Sequence, residues 1–280
     1  MPSMSDHPKH TSRSYLEVIE QIFARWTNYR ASSVNMAVSD ADDMLIAGHL
    51  DHYLSVGTSA LEAISEAMIL ARKTHVGSVL DMPCGYGRVT RHLVKFFPDS
   101  QISVSEIDKA KQQFCESTFG ASGIDLAPDF AGEPPRQFDL IFVGSLLTHL
   151  DEELFTRAIH YLLKALLPAG LLVVTTHGRH ATAVGAKAGQ VHPKTLRNFV
   201  NNGFAYEGPP DDGASRTAPS WLLRMLESLP DVRMLGYKEQ GWADFQDVFV
   251  IERAPLDALI CPRPVKPRWF SFPRPFRAKL

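Results

Sequence analysis

From residue 78 onward, short apolar runs alternate with stretches of helical periodicity. The runs 78–82 (SVLDM), 101–106 (QISVSE), 123–126 (GIDL), 138–143 (FDLIFV) and 171–176 (LLVVTT) read as strands, because each is short and bounded by polar or turn-forming residues. Helical spacing separates them near 88–97, 109–119 and 151–167, and Pro168-Ala169-Gly170 reads as the stop of the last helix. Strands alternating with helices predict a parallel sheet wrapped on both faces.

The pattern differs at the two ends. Ser14 and Glu17 form a capping-box pair, and Leu16, Ile19, Phe23 and Trp26 follow at helical spacing. A second helix is expected within 40–54 and a third from about Thr58 to Lys73, with Leu61, Ile64 and Met68 on one face. Residues 1–75 thus form a helical extension that serves as a lid, its first 13 residues disordered, and 76–257 form the main domain. Within it, 178–218 is rich in Gly, Pro, Asp and Asn and carries one short helix near 193–201. A loop of that length and composition predicts a substrate-side insertion. A helix at 219–229 precedes strands 232–239 and 246–252. The six residues between those strands are too few for a parallel crossover, so they form an antiparallel hairpin. The fold expected is α/β and doubly wound: a mostly parallel seven-stranded sheet with a closing antiparallel hairpin.

Composition narrows the classes. The chain has 280 residues, 45% of them hydrophobic, enough for one large α/β domain and a small extension. With 29 basic and 31 acidic residues the balance makes no case for a nucleic-acid partner. Three widely spaced cysteines offer neither a disulfide framework nor zinc spacing, which fits a reducing, cytoplasmic setting with no metal site. The polar start is no signal peptide, and no run is long and apolar enough to span a bilayer. The tail 258–280 has six basic residues, five prolines and four aromatics; it reads as a solubilising end or as a weak contact for an anionic membrane surface.

The candidate chemistry lies in SVLDMPCGYG, residues 78–87. A strand ends in Asp81, and a turn with Gly85 and Gly87 follows at once. In an open parallel sheet ligands sit beyond the carboxyl ends of the strands, and glycines let a ligand approach the backbone. Glu106, at the tip of the next strand, lies 19 residues after Gly87, a spacing suited to a ribose diol. A dinucleotide turn would want a third glycine where Thr90 stands. Asp81 would also repel a pyrophosphate and attract a cation. A ligand with an amino group, a sulfonium and a ribose, such as S-adenosylmethionine (SAM), suits these residues better.

With VLDMPCGYGR at 79–88, ISVSEID at 102–108, FDLIFVGSLLTHL at 138–150 and LPAGLLVVTT at 167–176, the chain resembles the class I SAM-dependent methyltransferases over roughly 75–252. Pro83 replaces the first glycine of the usual turn. The resemblance implies SAM as cofactor, held by Asp81, Pro83, Cys84, Gly85, Tyr86 and Gly87 of the turn. Glu106 and Ile107 belong to the second strand tip, with Asp108 as an alternative to Glu106. Gly144, Ser145 and Leu146 complete the set after the fourth strand.

A hydroxyl acceptor would also need a base. His177, in TTHGR at 175–179, is the first choice. His149 is more apt for a structural role, and Asp247, beside Trp242 and Gln246 near the hairpin turn, is the third. Asp247 could equally pair with Arg179 or Arg233, Trp242 could be plain core, and Tyr53 could be lid or core. The expected acceptor is a small molecule or glycan-type compound methylated on oxygen or nitrogen. The rivals are a non-catalytic SAM-binding or scaffolding protein and a nicotinamide-dependent oxidoreductase.

Overall fold

The apolar runs become the parallel part of one sheet. β1 (Ser78–Met82), β2 (Gln101–Val104), β3 (Ser122–Gly123), β4 (Phe138–Val143) and β5 (Leu166–Thr176) pair in parallel. β8 (Val232–Trp242) and β9 (Gln246–Arg253) form the expected hairpin, and β9 runs antiparallel to β5. The order is β3-β2-β1-β4-β5-β9-β8, so the order in which successive strands are added reverses between β1 and β4. This computed structural model describes residues 14–30, 34–209 and 213–254. The tail 258–280 and residues 1–13 lie outside the described residues.

Both sheet faces are buried. Val79, Leu140, Phe142, Leu171 and Val173 pack under α1 (Tyr15–Arg30), α2 (Leu50–Leu70), α3 (Thr90–Phe96) and α4 (Lys109–Phe119). Their strand neighbours Leu80, Ile141, Val143, Leu172 and Val174 pack under α5 (Glu152–Lys164) and α8 (Pro219–Glu227). Alternate residues feed opposite cores, which is why the strands are apolar throughout. Each such side chain contributes about 1.5–3 kcal/mol on burial.

Several expectations are corrected. The second and third helices are one, α2. Gly57 interrupts the pattern because α2 meets α3 there: a Cβ on it would lie 2.2 Å from His92 Cδ2 and 2.5 Å from the Arg88 carbonyl. The capping box at Ser14 forms reciprocally, Ser14 N–H to Glu17 at 2.9 Å and Glu17 N–H to Ser14 Oγ at 3.2 Å. The buried face of α1 is nevertheless Val18 and Ile22, while Leu16 and Phe23 are 72% and 71% exposed. Helical spacing allowed both stripes. Packing turned the face of Val18, Ile22 and Arg25 inward and kept only Trp26 of the expected stripe beside it: Arg25 donates to the Phe96 and Thr74 carbonyls and Trp26 to Ser65 Oγ.

Of the run 123–126 only Gly123 is paired; β3 is completed by Ser122, just before the run. α5 ends at Lys164, and Pro168–Gly170 lies inside β5 as a bulge opposite Phe138–Leu140, with Ala169 at φ +63°. The insertion is more regular than its composition suggested. It holds α6 (Arg179–Lys187), α7 (Pro193–Asn202) and a hairpin of β6 (Phe204–Glu207) and β7 (Ala214–Thr217).

Candidate functional site

A cavity of about 890 Å³ opens at the carboxyl ends of β1, β2 and β4, where the strand order reverses. Its floor is the turn after β1. Gly85 and Gly87 both take positive φ, +51° and +78°. At Gly87 a Cβ would meet the Phe119 ring at 2.3 Å, so that glycine lets α4 pack beneath the turn. At Gly85 a Cβ would meet nothing within 4 Å, so the open side of the turn faces the cavity. Asp81, Pro83, Cys84, Gly85, Tyr86, Glu106, Ile107, Gly144, Ser145, Leu146 and His149 line the cavity; Gly87 does not.

The acids differ in role. Glu106 reaches across the floor and accepts from the Gly85 N–H at 3.0 Å and from the Ile107 N–H at 2.9 Å. Asp108, the alternative, accepts from the Ala110 N–H at 2.9 Å and caps α4. Asp81 is buried and accepts from Thr90 Oγ1 at 2.6 Å. Thr90, at the position of the missing third glycine, therefore holds the strand-tip carboxylate. Burial raises the Asp81 pKa to about 7, with Glu106 adding repulsion and the Thr90 hydroxyl and Arg88 opposing.

The N-terminal extension reaches the cavity through residues that pattern reading did not single out. Asp42, Asp43 and Met44 line it, although they precede the turn by some forty residues. The fully buried Arg91 ties the two together. Its guanidinium donates to the Asn35 and Ala37 carbonyls at 3.0 and 2.9 Å, to the Tyr86 and Gly87 carbonyls at 3.3 and 3.0 Å, and to Tyr53 Oη at 3.2 Å. Tyr53 does not line the cavity; buried in the core, it donates to Asp42 at 2.6 Å and so anchors the segment that does. Arg88 also lines the cavity, and only its place beside Gly87 hinted at that.

Past β4, Ser145 sits at φ +62°, held by the Thr175 and Gln246 side chains at 2.8 and 2.9 Å. Trp242 closes the same side, its Nε1–H donating to the Val56 carbonyl at 3.0 Å.

No family model and no curated protein matches the chain. Solved structures do. A SAM-dependent methyltransferase from Clostridium acetobutylicum ATCC 824 aligns with TM-score 0.52 and 12% identity over 70% of this chain and 92% of that one. The chain has the class I methyltransferase fold. A 1,6-didemethyltoxoflavin-N1-methyltransferase from Burkholderia thailandensis, with S-adenosylhomocysteine bound, aligns with TM-score 0.52 and 11% identity over 89% of this chain and 93% of that one. The mitomycin 7-O-methyltransferase MmcR gives 0.52 and 16% over 87% and 62%.

Within this methyltransferase fold the three candidate bases separate. His149 is exposed and lines the cavity, with Nδ1 3.2 Å from the Gly213 carbonyl. A carbonyl only accepts, so Nδ1 carries the hydrogen and, in the neutral ring, Nε2 is an acceptor. His177 does not line the cavity. Its Nδ1 accepts from Arg216 Nη1 at 2.9 Å, which leaves the hydrogen on Nε2. Burial first, then Arg216 and His149, pushes its pKa down to about 4. Asp247 is buried away from the cavity and accepts from Tyr237 Oη at 2.7 Å and from the Gln240 N–H at 3.1 Å. Among the described residues no helix is long and apolar enough to cross a membrane.

Proposed function

We propose that the protein is a SAM-dependent methyltransferase acting on a small-molecule or glycan-type acceptor, at oxygen or nitrogen. The observation that carries this reading is the cavity floor. The Glu106 carboxylate lies beside the open Gly85 turn, in a wall that also holds Asp42, Asp43 and Asp81; Asp125 there is paired with Lys109, and Arg88 and Lys111 are the other cations, so acids outnumber bases. Such a wall suits a ribose diol and a cationic amino acid and repels a pyrophosphate. The bound cofactor would supply an activated methyl group. The chain's part is positioning, exclusion of water by the 42–44 segment and Trp242, and custody of a proton.

That last role falls to His149 in this proposal, in place of His177. An imidazole that donates from Nδ1 to a backbone carbonyl is held in the tautomer whose Nε2 can take a proton from an acceptor. His177, which receives Arg216 at Nδ1, is a donor instead. Small-molecule O- and N-methyltransferases among the similar structures support the acceptor class.

Calorimetry with SAM, S-adenosylhomocysteine and NAD tests the cofactor, and an acceptor screen for SAM consumption tests turnover. Binding of NAD with none of SAM would sink the proposal. SAM binding without turnover on any acceptor class would favour the non-catalytic alternative.

A further inference from the structure

The insertion holds a cation that the cavity does not use. β7 is tied to the cavity rim by Ser215, whose hydroxyl donates to the Leu147 carbonyl at 2.7 Å, and by the His149–Gly213 contact. Arg216, the next residue, projects to the other face of the strand and is only 9% exposed. Its Nη1 is occupied by His177 Nδ1 at 2.9 Å and the Ser215 carbonyl at 3.3 Å. Its Nε is buried with no acceptor, and among the described residues none meets Nη2. The free Nε–Nη2 edge can grip a carboxylate or phosphate through two parallel bonds.

No acid among the described residues pairs with Arg216 within 4 Å. Glu207 acts on it through space, but both its oxygens face the His192 N–H, at 3.1 and 3.0 Å. A buried charge left in this way is costly unless it finds a partner. On the Nη1 side His177 holds the guanidinium in place, its own ring also meeting the Ser215 backbone. Phe245, 36% exposed, packs edge-on against His177 and His180, with ring centroids 5.7 and 6.1 Å away.

We infer that the Nε–Nη2 edge of Arg216, oriented by His177 on Nη1, forms a subsite for an oxyanion, the carboxylate or phosphate group of a small molecule. The inference concerns binding alone. That the anion belongs to the methyl acceptor, tethered near His149, rests on the methyl-transfer reading.

The test uses the whole chain, labelled with ¹⁵N and held at constant ionic strength with sodium chloride. Inorganic phosphate and acetate are titrated separately while the Arg216 Nε–H and the His177 ring resonances are followed. Saturable shifts of both are expected: with phosphate only if the site selects phosphate, with both if it accepts carboxylates. Arg216→Gln should weaken binding about tenfold or more, the usual scale for a charge-assisted pair. S-adenosylhomocysteine calorimetry on the same samples reports the cofactor site independently. Saturable anion binding without S-adenosylhomocysteine binding would defeat the methyl-transfer reading and leave the subsite standing. No saturable shift of the wild-type Arg216 Nε–H with either anion overturns the subsite, and so does equal affinity in a folded Arg216→Gln protein. Should that variant not fold, the wild-type titration decides.

Discussion

Replacing Glu106 with glutamine separates two functions that a carboxylate combines at the cavity floor. A glutamine oxygen can still accept the Gly85 N–H, now 3.0 Å from Glu106, so the turn keeps its shape. What is lost is the charge and the second acceptor oxygen, which now takes the Ile107 N–H at 2.9 Å. A hydrogen bond to a charged group is worth about 1.5–3 kcal/mol, so Kd for S-adenosylhomocysteine should rise roughly ten- to a hundredfold. The control is Asp108→Ala. Asp108 caps α4 through the Ala110 N–H, and losing a cap costs about 1 kcal/mol. For a chain of this size that is a fall of roughly 2–4 °C in Tm, with affinity unchanged. Calorimetry and thermal unfolding on the three proteins give both readouts. Wild-type affinity in Glu106→Gln, or lost affinity in Asp108→Ala, would refute the assignment of the ribose-facing role to Glu106.

Three further outcomes are expected. Gly57→Ala gains roughly 1 kcal/mol of helix propensity, but its Cβ would sit 2.5 Å from a backbone carbonyl; overpacking of about 1–3 kcal/mol should win, lowering the denaturation midpoint, and a raised midpoint contradicts the α2–α3 contact. Asp81 has a native pKa near 7 against about 3.9 unfolded, so the native state holds its proton more firmly and stability should fall as pH rises from about 4 through 7. Asp81→Asn should remove that slope, worth a few kcal/mol, and parallel pH–stability curves for the two proteins would rule the linkage out. With an acceptor in hand, His149→Ala should cut the single-turnover rate about 10²-fold at unchanged S-adenosylhomocysteine affinity; His177→Ala should leave the chemical step near wild type at saturating acceptor, and the reverse ranking would restore His177 as the base.

The sequence by itself determined what depends on neighbours along the chain. Four of the parallel strands, β1, β2, β4 and β5, and the closing hairpin were legible because a strand buried on both faces must be apolar throughout, and because a short connection cannot cross a sheet; β3, a Ser-Gly pair at the sheet edge, carries no such signal. The ligand end was legible too, since two glycines after a strand-tip acid mark the carboxyl edge, and the Glu106 spacing follows from one strand–helix–strand unit. Tertiary structure decided whatever depends on partners distant in sequence. Two apolar stripes of α1 satisfied the same periodicity, and only contact with α2 and α3 selected Val18 and Ile22. Thr90 looked like a lost glycine until its hydroxyl met Asp81. The 42–44 segment reached the cavity because the buried Arg91 needed acceptors that its own helix could not supply. The choice between His149 and His177 turned on which partner each Nδ1 meets: a carbonyl that must accept or a guanidinium that must donate. Both partners come from the insertion, 64 and 39 residues further along the chain, so no local pattern could encode the outcome.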